Sequence, residues 1–228
     1  MFYYYDATYI LVLIGAALSL WASWNVNGLI KKYQQVRCQS GLTAAQAAET
    51  ILHGNGIYDV TVKMVSSGAS DYYNPSTKEV CLLQSNYNST SVASIGIAAH
   101  ECGHAIQDAT GYTPLLLQRS IAPVCSIGSS AGIYIVIAGL LFSMDPLVRV
   151  GIVLFALGVF LSLLLLPIEF DASNRALAIL KDSGMMTGED LSGARKVLRA
   201  AGLTYVAAAA SALLSLLRLL LIANRRRR

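Results

Sequence analysis

The chain has 228 residues, 55% of them hydrophobic and only 13% charged, with a formal net charge of +4. That is too apolar for an ordinary soluble domain and fits a small membrane protein. Much of the positive excess sits in the terminal run Arg225 to Arg228, which leaves no broad basic surface and argues against nucleic acid as a partner.

The first apolar run, from Ala7 to about Leu29, is long enough to cross a bilayer and places Trp21 and Trp24 near its far end, where an interfacial belt wants them. Its start, Met-Phe-Tyr-Tyr-Tyr-Asp, lacks the basic residues of a cleavable signal, so a retained anchor is expected over residues 1–30. Lys31, Lys32 and Arg37 follow at once and point that end towards the cytoplasm.

Residues 31–118 carry most of the polar sequence and are expected to form one small catalytic domain. Thr43 and Gln46 make a capping box for a helix through AAQAAETILHG, stopped by Gly54 and Gly56. Val60 to Met64 alternates as a half-buried strand does, and Glu79 to Leu83 is a second strand. Between them, Gly68 and Asn74-Pro75 mark a loop. A further helix is expected to begin near Ser91 or Ser94.

Residues 119–168 read as a membrane hairpin. A Gly, Ser and Ala-rich span from Ile121 to Phe142 turns at Ser143-Met144-Asp145-Pro146 into a Leu-rich span from Leu147 to Pro167. Residues 169–202 form one helix continuing to Lys181 and closing at Gly184, and another starting at Thr187 and ending with Arg195, Lys196 and Arg199 in its last turn. Residues 203–228 hold a final apolar run, Leu203 to Ala223, and the arginine tail. As a fourth span this run sets the tail against the Lys31 and Lys32 cluster, since both want the cytoplasm. Cys38, Cys81, Cys102 and Cys125 have no Cys-x-x-Cys spacing, which speaks against a disulfide framework or a zinc knuckle.

The chemistry concentrates in Ala98-Ala99-His100-Glu101-Cys102-Gly103-His104-Ala105-Ile106-Gln107. Residues four apart on a helix lie one above the other, so His100 and His104 can offer imidazoles to one metal ion. Glu101, offset by about 100°, can reach a metal-activated water without being a ligand. With so few His and Glu in the chain, accidental occurrence of this pattern is expected only about one time in a thousand. Zinc suits two imidazoles and a carboxylate. His53 sits at a helix C-terminus, where a cation suits the dipole, and positions 107 and 110 are Gln and Thr, so no third histidine follows at metzincin spacing. Asp108 is on the same helix, and one straight helix rarely gives three ligands to a tetrahedral ion. Glu169 is the better third ligand: the two-span hairpin returns it to the face of the membrane that holds the motif, and it closes a Leu-rich span where an unpaired charge is costly.

Asp71-Tyr72-Tyr73-Asn74-Pro75, the His100 to His104 motif and Glu169-Phe170-Asp171-Ala172-Ser173-Asn174-Arg175-Ala176 together resemble the YugP-type neutral zinc metallopeptidases of bacterial membranes. The resemblance covers nearly the whole chain. It implies a membrane-bound zinc peptidase with His100, His104 and a downstream glutamate as ligands and Glu101 as base. A more distant likeness to HtpX-type and CAAX-prenyl proteases breaks at Ser173, where those carry Asp, leaving Asp171 or another residue to orient a ligand histidine.

The expected protein is therefore a mostly α membrane protein, with three or four transmembrane helices and a small α+β zincin-like domain on the cytoplasmic side. It would use Zn2+ on His100, His104 and Glu169, with Glu101 as catalytic base, to hydrolyse peptides or proteins, membrane proteins among them, at a lipid bilayer. Tyr72, Tyr73 and Arg175 are candidates to stabilise the oxyanion. By analogy with other zinc proteases, an edge strand beside the metal could take an extended peptide by strand addition. Two alternatives stand beside this reading: a non-enzymatic scaffold with structural zinc, and a protease cutting within the membrane. The apolar stretch before His100 is too short to place the motif inside lipid.

Overall fold

A computed structural model describes residues 7–66 and 70–225. The expected Gly68 turn, the first six residues and the last three arginines lie outside them. In chain order the elements are α1 (Tyr9–Gln34), α2 (Ala44–Gly54), β1 (Thr61–Val65), β2 (Tyr72–Asn74), β3 (Glu79–Leu83), α3 (Gln84–Tyr87), α4 (Val92–Ala109), α5 (Thr113–Leu141), α6 (Asp145–Asp182) and α7 (Gly188–Arg225). The protein is mostly helical, and four helices, α1, α5, α6 and α7, are long and apolar enough to cross a membrane.

These elements divide into two compact units. One takes the described residues up to Ser23, Leu117–Leu166 and the described residues from Thr204 onward. Within it α5 and α6 approach so closely that a Cβ added to Gly132 would lie 2.7 Å from the carbonyl oxygen of Gly151. Close backbone approach through small residues is how helices gain packing energy in lipid, where burial of apolar surface gives no advantage. The hairpin turns at Ser143, in the left-handed region at φ 55°. Ser211 closes α7 onto α1 by donating to the Gly15 carbonyl at 2.8 Å.

The second unit holds Trp24–Leu116 and Pro167–Leu203. Its sheet has the order β1-β3-β2, with β1 parallel and β2 antiparallel to β3. Lys63 and Glu79 form an ion pair across the parallel pair. The capping box is present, Thr43 accepting from the Gln46 amide and Gln46 from the Thr43 amide, and Ser91 caps α4. Small residues on α2, Ala44, Ala47 and Ala48, are fully buried and let it lie close to α4, where Ala98, Ala99 and Cys102 are buried too. Leu52, Val80, Leu82, Ile95, Leu180 and Val197 complete this core.

Several boundaries differ from the sequence expectation. β1 starts one residue late, and Tyr72–Asn74, expected as loop, forms the edge strand β2. The first helix of the hairpin begins at Thr113 and not at Ile121, because Pro114 suits a first helical turn, whose amides have no intrahelical acceptor. Neither Pro167 nor Gly202 ends a helix. α6 runs through Pro167, which forgoes one backbone hydrogen bond. α7 runs through Gly202, whose missing side chain admits the Phe170 ring: a Cβ there would sit 3.0 Å from it. Arg195, Lys196 and Arg199 are therefore in the interior of one long helix and do not face its C-terminal dipole.

Candidate metal centre

The site is built where α4 meets α6 in the second unit. His100 and His104 are one turn apart on α4, with ring centroids 4.7 Å apart and nearly perpendicular. Glu169 on α6 places Oε2 3.3 Å from Nε2 of His100 and Oε1 3.8 Å from Nε2 of His104. One donor atom from each of the three residues lies within 4.8 Å of the others, a grouping that could hold a metal ion. Gly103, between the histidines, makes this approach sterically possible. A Cβ there would stand 2.6 Å from the carbonyl oxygen of Ala172.

Each imidazole is held from behind. Ser173, one turn after Glu169, lies with its Oγ 3.1 Å from Nδ1 of His100. Gln107, three residues after His104, lies with Oε1 3.0 Å from Nδ1 of that ring. The Gln107 amide nitrogen donates to the Ile168 carbonyl and to Oδ2 of Asp171, both at 2.8 Å. Asp171 is in turn held by Arg175 Nε at 2.6 Å, whose guanidinium packs over the Tyr112 ring. With Nδ1 engaged, each Nε2 is turned to Glu169. This is how ligating histidines are ordinarily fixed in tautomer and direction.

Glu101 is buried beside this cluster. Burial pushes its carboxyl up to about 7, although His100 and the Tyr73 backbone amide, which donates to it, pull the other way. A carboxyl titrating near neutrality suits a group that must both take and return a proton. Burial opposes a charge on His100, but the Glu169 hydrogen bond and the nearby Glu101 and Glu169 charges raise it above its ordinary value. Cys102 is turned away, donating to the Ala48 carbonyl at 3.6 Å, and burial holds its thiol in the neutral form.

The hairpin of β2 and β3 is tied to the same helix. Asp108 accepts from the Tyr73 hydroxyl at 2.7 Å and from Lys78 at 2.8 Å. Asp71 receives the Leu83 amide and the Asn86 side chain at 2.8 and 2.7 Å. The structure thus brings together His100, Glu101, His104 and Glu169. His53 is elsewhere, stacked on Tyr58. Of the residues considered for an oxyanion, Tyr73 has its hydroxyl on Asp108 and Arg175 is committed to Asp171. Ser173 and Gln107 were not anticipated as partners of the histidines. Helical spacing from Glu169 and His104 was the available signal for both.

Residues 8–224 match the family described as "putative neutral zinc metallopeptidase". The chain is 39% identical over 212 residues, 93% of its own length and 94% of the relative's, to the "putative membrane protease YugP" of Bacillus subtilis (strain 168). No solved structure matches it. With a match over nearly its whole length and a relative of this identity, the chain belongs to that neutral zinc metallopeptidase family.

Proposed function

We propose that the protein is a membrane-bound zinc endopeptidase in which His100, His104 and Glu169 hold the metal and Glu101 is the general base. The observation that carries this reading is the convergence of three donor atoms from two helices within 4.8 Å, next to a buried carboxyl. The donor set fits zinc: two imidazoles held at Nδ1, one carboxylate and, among the described residues, no fourth protein ligand, which is the pattern of catalytic sites and not of structural ones. Bound there, zinc would act as a Lewis acid towards a peptide carbonyl and make water acidic enough to attack it.

The chain's own residues do the rest. Glu101 takes the proton from the attacking water on a carboxyl oxygen and returns it to the leaving amine, a role its near-neutral titration favours. Ser173 and Gln107 keep the ligand imidazoles oriented. Among the described residues the edge strand β2 pairs with β3 alone, and its Tyr73 amide reaches Glu101. A peptide pairing with the free edge of β2 would lie alongside the base. The unit carrying the site is in this reading the zincin-like domain, facing the cytoplasm because Lys31, Lys32 and Arg37 follow the first span. The arginine tail is then the overruled cluster, as the first helix usually sets orientation.

Glu101→Gln tests the mechanism. The variant is expected to bind zinc like the parent and to lose cleavage of casein or a membrane-protein substrate. Retained turnover would sink the assignment of the base.

A further inference from the structure

Next to the metal centre, α6 and α7 enclose a groove of about 630 Å³. This volume lies within the range of ligand sites. Its lining includes Ser173, the residue against Nδ1 of His100, and Phe170, the neighbour of Glu169. Its rim carries Lys181, Arg195 and Arg199 against a single carboxylate, Asp182. None of these three cations forms an ion pair with another described residue. Charged side chains gathered at a concavity without partners set up a positive field that steers and holds an anion.

We infer that this groove takes acidic side chains of the peptide substrate, on one side of the bond to be cut. The inference rests on the peptidase reading above. Charge complementarity identifies the ligand as anionic, and the geometry of α6 distinguishes a peptide from a lipid headgroup. Lys181 lies thirteen residues beyond Ile168, where the Leu-rich run closes, and Arg195 eight residues before Leu203, where the last apolar run opens, which at the rise of an α-helix is roughly 20 and 12 Å. Arg199, four residues before Leu203, is nearer, at roughly 6 Å. A headgroup layer adjoining an apolar run is only about 5–8 Å deep. An extended peptide advances about 3.3–3.6 Å per residue. Counted along α6 from Glu169, Lys181 is roughly 18 Å away, so the groove would meet residues up to about five positions from the scissile bond. Phe170 and Leu198 supply apolar walls for the stems of those residues.

The test uses full-length, zinc-loaded protein in detergent micelles and paired peptides of one sequence, carrying Asp and Glu or Asn and Gln at those positions. The acidic peptide is expected to show a KM lower by about tenfold, with kcat changed by less than about twofold. In a K181Q/R195Q/R199Q variant the difference should disappear and the salt dependence with it. Zinc content and melting temperature of that variant serve as the folding check, and single R195Q and K181Q variants should give partial losses. A second readout avoids turnover: fluorescence anisotropy of labelled peptides on the E101Q protein should show the same charge preference. Equal treatment of both peptides by the parent would overturn the inference, as would an unchanged preference in the triple variant. So would a triple variant that loses only its binding to phosphatidylglycerol vesicles, which would assign the groove to lipid phosphate. Charge-dependent binding by a protein that cleaves nothing would keep the groove and remove the peptidase reading.

Discussion

Gln107 Oε1 lies 3.0 Å from Nδ1 of His104, and the same side chain is clamped through its amide nitrogen by Ile168 and Asp171 of α6. One fully buried glutamine therefore orients a histidine on α4 while reading the position of the helix that supplies Glu169.

Gln107→Ala is expected to weaken zinc binding by about 10–100-fold, the usual effect of removing a residue that orients a ligand histidine. Competition titration with a chromophoric chelator measures it. Asp171→Asn, which leaves Gln107 in place, should cost less. Unaltered affinity in the alanine variant would show that the His104 ring needs no such support.

Glu169→Ala should abolish stoichiometric zinc binding, whereas Glu101→Gln should retain it. Metal analysis of the two purified proteins separates ligand from base. Zinc fully bound to the Glu169 variant would mean that the third ligand is another residue.

For Glu101→Gln, the loss of turnover should be about 10²–10⁴-fold, the usual contribution of a positioned base. Because the substitution is nearly isosteric, KM should move little. A fall in affinity with kcat preserved would instead mark Glu101 as a binding group.

Gly103→Ala places a methyl group where 2.6 Å separates it from the Ala172 carbonyl. Relieving that clash must push α4 and α6 apart, at a cost of about 1–3 kcal/mol. The variant should melt earlier in detergent and bind zinc more weakly than the parent. Gly54→Ala, with open space around it, serves as the control for helix effects alone.

Much of this architecture is written in local sequence. Thr43 and Gln46 announce the start of α2, Ser91 that of α4, and the extent of β3 follows from Glu79 to Leu83. Strand β2 was hidden because Asn74-Pro75 reads as a turn and three residues are too few to show alternation. Its pairing with β3 is what makes it a strand. Pro167 and Gly202 look like breakers, yet in α6 and α7 neighbouring side chains and continuous apolar sequence override them. The histidine pair follows from helical spacing. Glu169 followed from the even number of crossings before it, and the structure brings it to the histidines. The holds on the two imidazoles were less legible, because Ser173 and Gln107 acquire meaning only from what lies opposite them on another helix.

The division of donors between α4 and α6 has a consequence for biosynthesis. His100 and His104 emerge from the ribosome well before Glu169, and the membrane hairpin must be made between them. A chain stopped anywhere short of residue 169 carries an incomplete donor set. If the complete set is what activates the protein, cutting power arises only after three of the four candidate membrane spans have been synthesised. A product truncated before residue 169 is then unable to cut.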